Sequence, residues 1–171
     1  MARVTLNLQN STDLGSVGAR WRFAQGLVPG QPNEGLISQM EGSPARLADY
    51  DDSRWEEIDD ITKGVSKGFT FAWYRMAVEL PNEIDGVEIS GSRVFFETNI
   101  DNYGEIWIDG QVDRASGVIS GNNVQQRVPV STSGVPGARH VIACLVVNGP
   151  LAEPRGGIFM RYATLAFESQ G

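Results

Sequence analysis

Twenty glycines and eight prolines cut this chain of 171 residues into short runs of β-branched and aromatic residues. Both residues weaken a helix interior, and both suit the turns between strands. A chain interrupted this often predicts many short strands and no long helix, which is an all-β domain. Inside the runs, apolar and polar residues alternate with the period of a strand that has one face on a core.

Taken along the chain, Arg3 to Gln9 reads as a first strand. Residues 10–54 are rich in Gly, Pro, Ser and Asp, with Trp21-Arg22-Phe23 as their aromatic anchor. This segment reads as a long loop that wraps a sheet edge or borders a site. Phe69 to Leu80 sets Tyr74, Met76, Val78 and Leu80 on one face and Phe71, Trp73, Arg75 and Glu79 on the other. Pro81 ends that strand because proline cannot continue a ladder. Arg93 to Ile100 turns Val94, Phe96 and Ile100 inward, with Phe95, Glu97 and Asn99 opposite. Glu105 to Asp109 sets Ile106 and Ile108 against Glu105 and Trp107, and Asp109-Gly110 is a strong hairpin signal. Gln126 to Val130, His140 to Val147 and Ile158 to Glu168 complete the strands, the second apolar enough to be buried on both faces. Ser53 to Ile61 carries the only helical hint, a turn or two after a Ser or Asp cap.

Scarcity limits the chemistry. The lone Cys144 rules out an internal disulfide, and its place in a strand predicts a small buried hydrophobe. The lone His140 rules out zinc sites built from several His or Cys ligands. A metal, if bound, is expected to be a hard ion on oxygen ligands, with calcium first. A formal charge of −7 without a basic cluster argues against nucleic acid. No apolar run approaches the ~20 residues of a membrane span, and the opening alternates in strand fashion, so a cytoplasmic protein is expected. No G-x-S-x-G elbow marks a serine hydrolase.

Several segments follow one another in a suggestive order. Tyr50-Asp51-Asp52-Ser53-Arg54-Trp55-Glu56 precedes Gly68-Phe69-Thr70-Phe71-Ala72-Trp73-Tyr74-Arg75 and Glu79-Leu80-Pro81. Asn99 to Gln111 ends in Ile108-Asp109-Gly110, and Pro136-Gly137-Ala138-Arg139-His140-Val141-Ile142-Ala143 lies farther on. In order and spacing these resemble the N-terminal sugar-binding domains of family 2 glycoside hydrolases. Asp109 stands where that family usually has Asn, and the family's Asn after Pro-Gly is replaced near His140. The resemblance implies a single galactose-binding-like jelly-roll β-sandwich over residues 1–171. It also implies a non-catalytic domain, since a barrel carries the catalysis in that family.

Candidate site residues follow from the strand faces. Trp73, Arg75, Glu97, Asn99 and Trp107 fall on the non-core side, where rings stack on sugar C–H faces and planar polar groups bind hydroxyls. Their alternative use is an Arg75–Glu97 salt bridge on a solvated sheet. Asp101, Tyr103 and Glu105 are expected at a turn between two strands, as acid–base groups or as turn formers. Arg161 reaches either a site or a surface acid. Glu168, near the end of the last strand, is the candidate calcium ligand that the resemblance suggests. Asp51-Asp52-Ser53 and Trp55 are expected to cap a loop and pin it to the core.

Three functions remain open on these grounds. One is a module binding a small sugar-like or polyhydroxylated ligand. Another is a small cofactor-independent enzyme (lyase, isomerase, cyclase or lactone hydrolase) using Asp101 or Glu97 with Tyr103 or Arg75. The third is a homodimer built on the 10–54 segment and the sheet edges.

Overall fold

The computed structural model describes residues 2–31, 42–62, 70–148, 157 and 160–169, without the side chains of Asp101 and Asn122. Among these residues the strands are β1 (Arg3–Asn7), β2 (Trp21–Gln25), β3 (Glu56–Ile58), β4 (Thr70–Glu79) and β5 (Glu83–Ile84). They continue with β6 (Val87–Glu88), β7 (Arg93–Ile108), β8 (Val118–Ser131), β9 (Arg139–Asn148) and β10 (Met160–Glu168). A short helix α1 (Ser11–Ser16) and a 3-10 turn (Pro44–Arg46) join them. Phe69 and Ile158, expected to open two of the strands, lie outside the described residues.

Eight strands share one hydrogen-bonded sheet in the order β1-β10-β7-β9-β4-β2-β3, with β8 on β7. The sheet becomes two layers because β7 spans both. Its first half pairs with β10, from Arg93↔Glu168 to Ile100↔Met160. Its second half pairs with β9, from Tyr103↔Val147 to Ile108↔Ile142. A register shift between Ile100 and Asn102 marks the crossing, as bulges do where a strand bends. The inner faces meet in one core: Leu6, Phe96, Leu165 and Phe167 from one layer, Tyr74, Met76, Val78, Ile142 and Cys144 from the other. Each such large apolar side chain stabilises the fold by about 2 kcal/mol when fully buried. Trp21 sits edge-on to Phe96 at 6.4 Å and donates its indole N–H to the Leu8 carbonyl at 2.8 Å, so its polar end is satisfied. The result is the expected all-β jelly-roll sandwich.

Three expectations need correction. The 10–54 segment is not a plain loop. Asn10 caps α1, its Oδ1 accepting from the Thr12 amide at 2.8 Å, and Trp21–Gln25 is a full sheet strand on β4. Ser53 to Ile61 forms no helical turn; its middle is β3, pairing Glu57 with Arg22. Residues 101–105 are not a turn but the interior of β7, paired with β8 and β9. Gly104, which suggested a bend, is needed for close packing. A Cβ there would lie 2.9 Å from Ile100 Cδ1 and 3.1 Å from the Leu145 carbonyl oxygen. By contrast Asp109 and Gly110 both take positive φ, 50° and 77°, in the tight turn expected of them.

Candidate functional site

The outer face of the β2-β4-β9-β7 layer is built from three cross-strand rows. Arg22, Arg75, Ala143 and Trp107 lie in register in one. Ala24, Trp73, Leu145 and Glu105 form the next, and Phe71, Val147 and Tyr103 the third. Alternation alone assigned Trp73, Arg75 and Trp107 to this side. Two of them are nevertheless hidden, because residues 42–55 fold back over half of the face. Trp73 is 1% exposed and Arg75 2%.

Arg75 is what holds that cover. Its Nε donates to Asp52 Oδ2 at 2.7 Å, and its terminal nitrogens donate to the carbonyls of Ala45 (3.2 Å), Ala48 (3.0 Å) and Tyr50 (3.3 Å). A buried guanidinium needs such a set, since its five donors have no water to satisfy them. Trp73 donates its indole N–H to the Leu27 carbonyl at 3.0 Å and packs with Ala45, Ala143 and Leu145 in a small second core. Tyr50 and Trp55 pack at its margin, 5.5 Å apart. Asp51 Oδ1 accepts the Ser53 amide at 3.0 Å, the local bond expected of the Asp-Asp-Ser turn.

Beyond the cover the face is half-exposed, and here the candidate site lies. The Glu105 carboxylate accepts the Tyr103 hydroxyl at 2.8 Å on one oxygen and the Trp107 indole N–H at 3.0 Å on the other. Three residues at i, i+2 and i+4 of one strand point the same way, which is why they meet. Burial, and then the bond to Glu105, push the Tyr103 hydroxyl up to about 12, so it stays a donor at neutral pH. Phe71 and Val147 extend the surface from neighbouring strands, and the Arg46 guanidinium sits 5.5 Å from the Trp107 ring centre. The whole is a carboxylate between two aromatic rings on an apolar ledge. Each Glu105 oxygen has spent one acceptor position and keeps another for an incoming O–H.

The remaining predicted residues do not join this ledge. Glu97 and Asn99 lie on the outer face of the other layer. Glu97 pairs with Arg3 at 2.6 Å and Arg127 at 3.0 Å rather than with Arg75. Asn99 donates to Asn123 at 2.8 Å and is 4% exposed. Arg161 is exposed on β10, in the same layer as Glu97. The side chain of Asp101 lies outside the described residues. Glu97 therefore meets neither Tyr103 nor Arg75, the partners expected for it in acid–base chemistry. Glu168 lies between Arg93 at 3.3 Å and Arg127, whose hydrogen bond and charge hold its carboxyl below the usual range. Two guanidiniums on that carboxylate do not fit a calcium ligand. Among the described residues no group of three His, Cys, Asp or Glu is placed to hold a metal, and no helix is long and apolar enough to cross a membrane.

Comparison with known proteins places this geometry in a wider frame. Neither a family model nor a curated protein matches the sequence. Solved structures do match. The β-glucuronidase of Bacteroides uniformis superposes with a TM-score of 0.60 at 18% identity, over 97% of this chain and 18% of that one. A family 2 glycosyl hydrolase from Bacteroides cellulosilyticus gives 0.59 at 16% identity, over 95% and 20%. The β-glucuronidase of Faecalibacterium prausnitzii gives 0.59 at 15% identity, over 98% and 32%. The chain shares its fold with one part of these family 2 enzymes. It spans about a fifth to a third of their length, and at these identities the likeness speaks for fold alone.

The ledge was only partly legible from sequence. The sequence points to Tyr103, Glu105 and Trp107 but sets the first two at a turn with Asp101 and the third on a strand face, while Phe71 and Val147 give no signal beyond their place in the strands.

Proposed function

We propose that this domain is a non-catalytic module that binds a neutral saccharide on the Tyr103–Glu105–Trp107 ledge. One observation carries the proposal: a single carboxylate fixed by a phenol and an indole, beside Phe71 and Val147, on a partly exposed sheet face. Sugars present C–H faces that stack on aromatic rings and vicinal hydroxyls that donate to a carboxylate. Holding Glu105 by two donors removes the rotamer freedom that a sugar would otherwise have to freeze. The family 2 fold supports the proposal by analogy, since the neighbours named above act on glycosides.

A charge-assisted hydrogen bond is worth about 1.5–3 kcal/mol, so Glu105→Gln should weaken binding about tenfold or more. Screening the purified chain against an immobilised carbohydrate array is the direct experiment. Selective capture of one glycan type, lost in Glu105→Gln and reduced in Trp107→Phe, supports the proposal. Capture that both variants retain would place the ligand elsewhere, and no capture at all contradicts the proposal.

A further inference from the structure

A separate cleft of about 390 Å³ opens on the same layer, on the far side of the 42–55 cover from the ledge. Ala77 and Val141, opposite each other on β4 and β9, form its floor. Arg20 and Arg22 beside β2, Asp49, Tyr50 and Asp52 from the 42–55 cover, and Arg139 at the start of β9 line it too. In a protein of net charge −7, four arginines and two aspartates line this space, and Glu57 outside the lining pairs with two of the arginines.

These charges are not equivalent. Arg75 is buried and spent on Asp52 and the loop carbonyls. Arg22 is held by Glu57 at 2.9 Å and by Asp52 at 3.7 Å, while Arg20 gives one nitrogen to Glu57 at 3.1 Å. The Arg20 side chain is 76% exposed, so its other nitrogens face solvent. The Arg139 side chain makes no hydrogen bond or ion pair with any described residue, although Glu79 lies opposite it in the β4–β9 ladder. Asp49 is likewise exposed and unpaired among the described residues. The cleft therefore presents two arginines with free donors and one free carboxylate, over an apolar floor. Its volume suits a ring-sized ligand.

We propose that this cleft is a second saccharide subsite that selects an acidic sugar. Arg139 and Arg20 take the sugar carboxylate, for which the planar guanidinium is the matched donor. Asp49 accepts the ring hydroxyls, and the Ala77–Val141 floor carries the C–H face. The proposal rests on the saccharide reading above but on different residues, so the two can fail separately.

The test is an NMR titration of the isotope-labelled full chain with glucuronate and, in parallel, with glucose, repeated on Arg139→Gln and Glu105→Gln. The expected result is glucuronate shifts at Ala77, Asp49 and Arg139. Glucuronate should bind about fivefold or more tighter than glucose, with the preference reduced by added salt. Arg139→Gln should abolish the preference and leave the response to glucose unchanged. Absence of glucuronate shifts at the cleft overturns the subsite whatever glucose does. So does an undiminished glucuronate affinity in Arg139→Gln. Glucose shifts at the ledge that vanish in Glu105→Gln would leave the proposed function standing in either case. Glucuronate in the cleft with no glucose at the ledge would do the reverse.

Discussion

Arg75 Nε lies 2.7 Å from Asp52 Oδ2, joining a strand interior to a loop residue 23 positions earlier. That contact converts the outer face of a sheet into a partly roofed one. It also decides which residues remain for a ligand: Trp73 and Arg75 go under the roof, and Glu105 and Trp107 stay beside it.

Removing the guanidinium should therefore do more than cut one ion pair. In Arg75→Met three loop carbonyls and the Asp52 carboxylate lose their donor. Asp52 is 26% exposed and can recover water, so the loss should be about 3 kcal/mol rather than that of a wholly buried pair. Urea unfolding measures it. Faster amide exchange confined to residues 45–52 should accompany it.

The fold was readable because its signals are local. Asp109-Gly110 needs positive φ and has the residues for it, the alternation in β4 and β7 matches the faces found, and the continuous apolar run of β9 is buried on both faces from Val141 to Val146. What misled was glycine. Gly104 suggests a turn, yet it serves the close approach of Ile100 and the Leu145 carbonyl inside the β7 ladder, just past the register shift at Ile100–Asn102. The roof was invisible for another reason. Its partners, Asp52 and Arg75, are far apart in sequence, and no periodicity reports a long-range hydrogen bond.

Gly117 gives a sharper glycine test. An added Cβ would meet the Asp113 and Ile106 carbonyl oxygens, each at 2.9 Å, and backbone cannot step aside as a side-chain tip can. Gly117→Ala should cost about 1–3 kcal/mol in thermal or urea unfolding, by overpacking the β7–β8 connection. Gly15→Ala, with nothing within 4 Å, should cost no stability.

Alkaline titration should expose the ledge. Burial and the bond to Glu105 push the Tyr103 hydroxyl from its ordinary 10.0 up to about 12 in the folded protein. A raised folded value means stability that is fully present below pH 10 and is lost as the pH rises toward 12. Burial raises Tyr74 as well, so the wild-type slope contains both. Tyr103→Phe should make the slope shallower in this window, measured by unfolding at a series of pH values.

Acid titration should report on the opposite layer. Hydrogen bonding and charge from Arg127 lower the Glu168 value below 4.5. Such a group stabilises the fold above its unfolded value, and that contribution disappears as the pH falls through the folded one. In Arg127→Gln the carboxyl carbon of Glu168, followed by NMR, should titrate closer to 4.5. An unchanged titration would show that Arg93 suffices.

The central claim is that Glu105, fixed by Tyr103 and Trp107, is the recognition group of a saccharide site. Isothermal titration of the glycan selected on the array against wild type and Glu105→Gln tests it most directly. The account predicts about tenfold or greater weakening in a variant that still unfolds cooperatively, its midpoint lowered only by the loss of one of the two bonds Glu105 accepts. Equal affinity in the two proteins would contradict it.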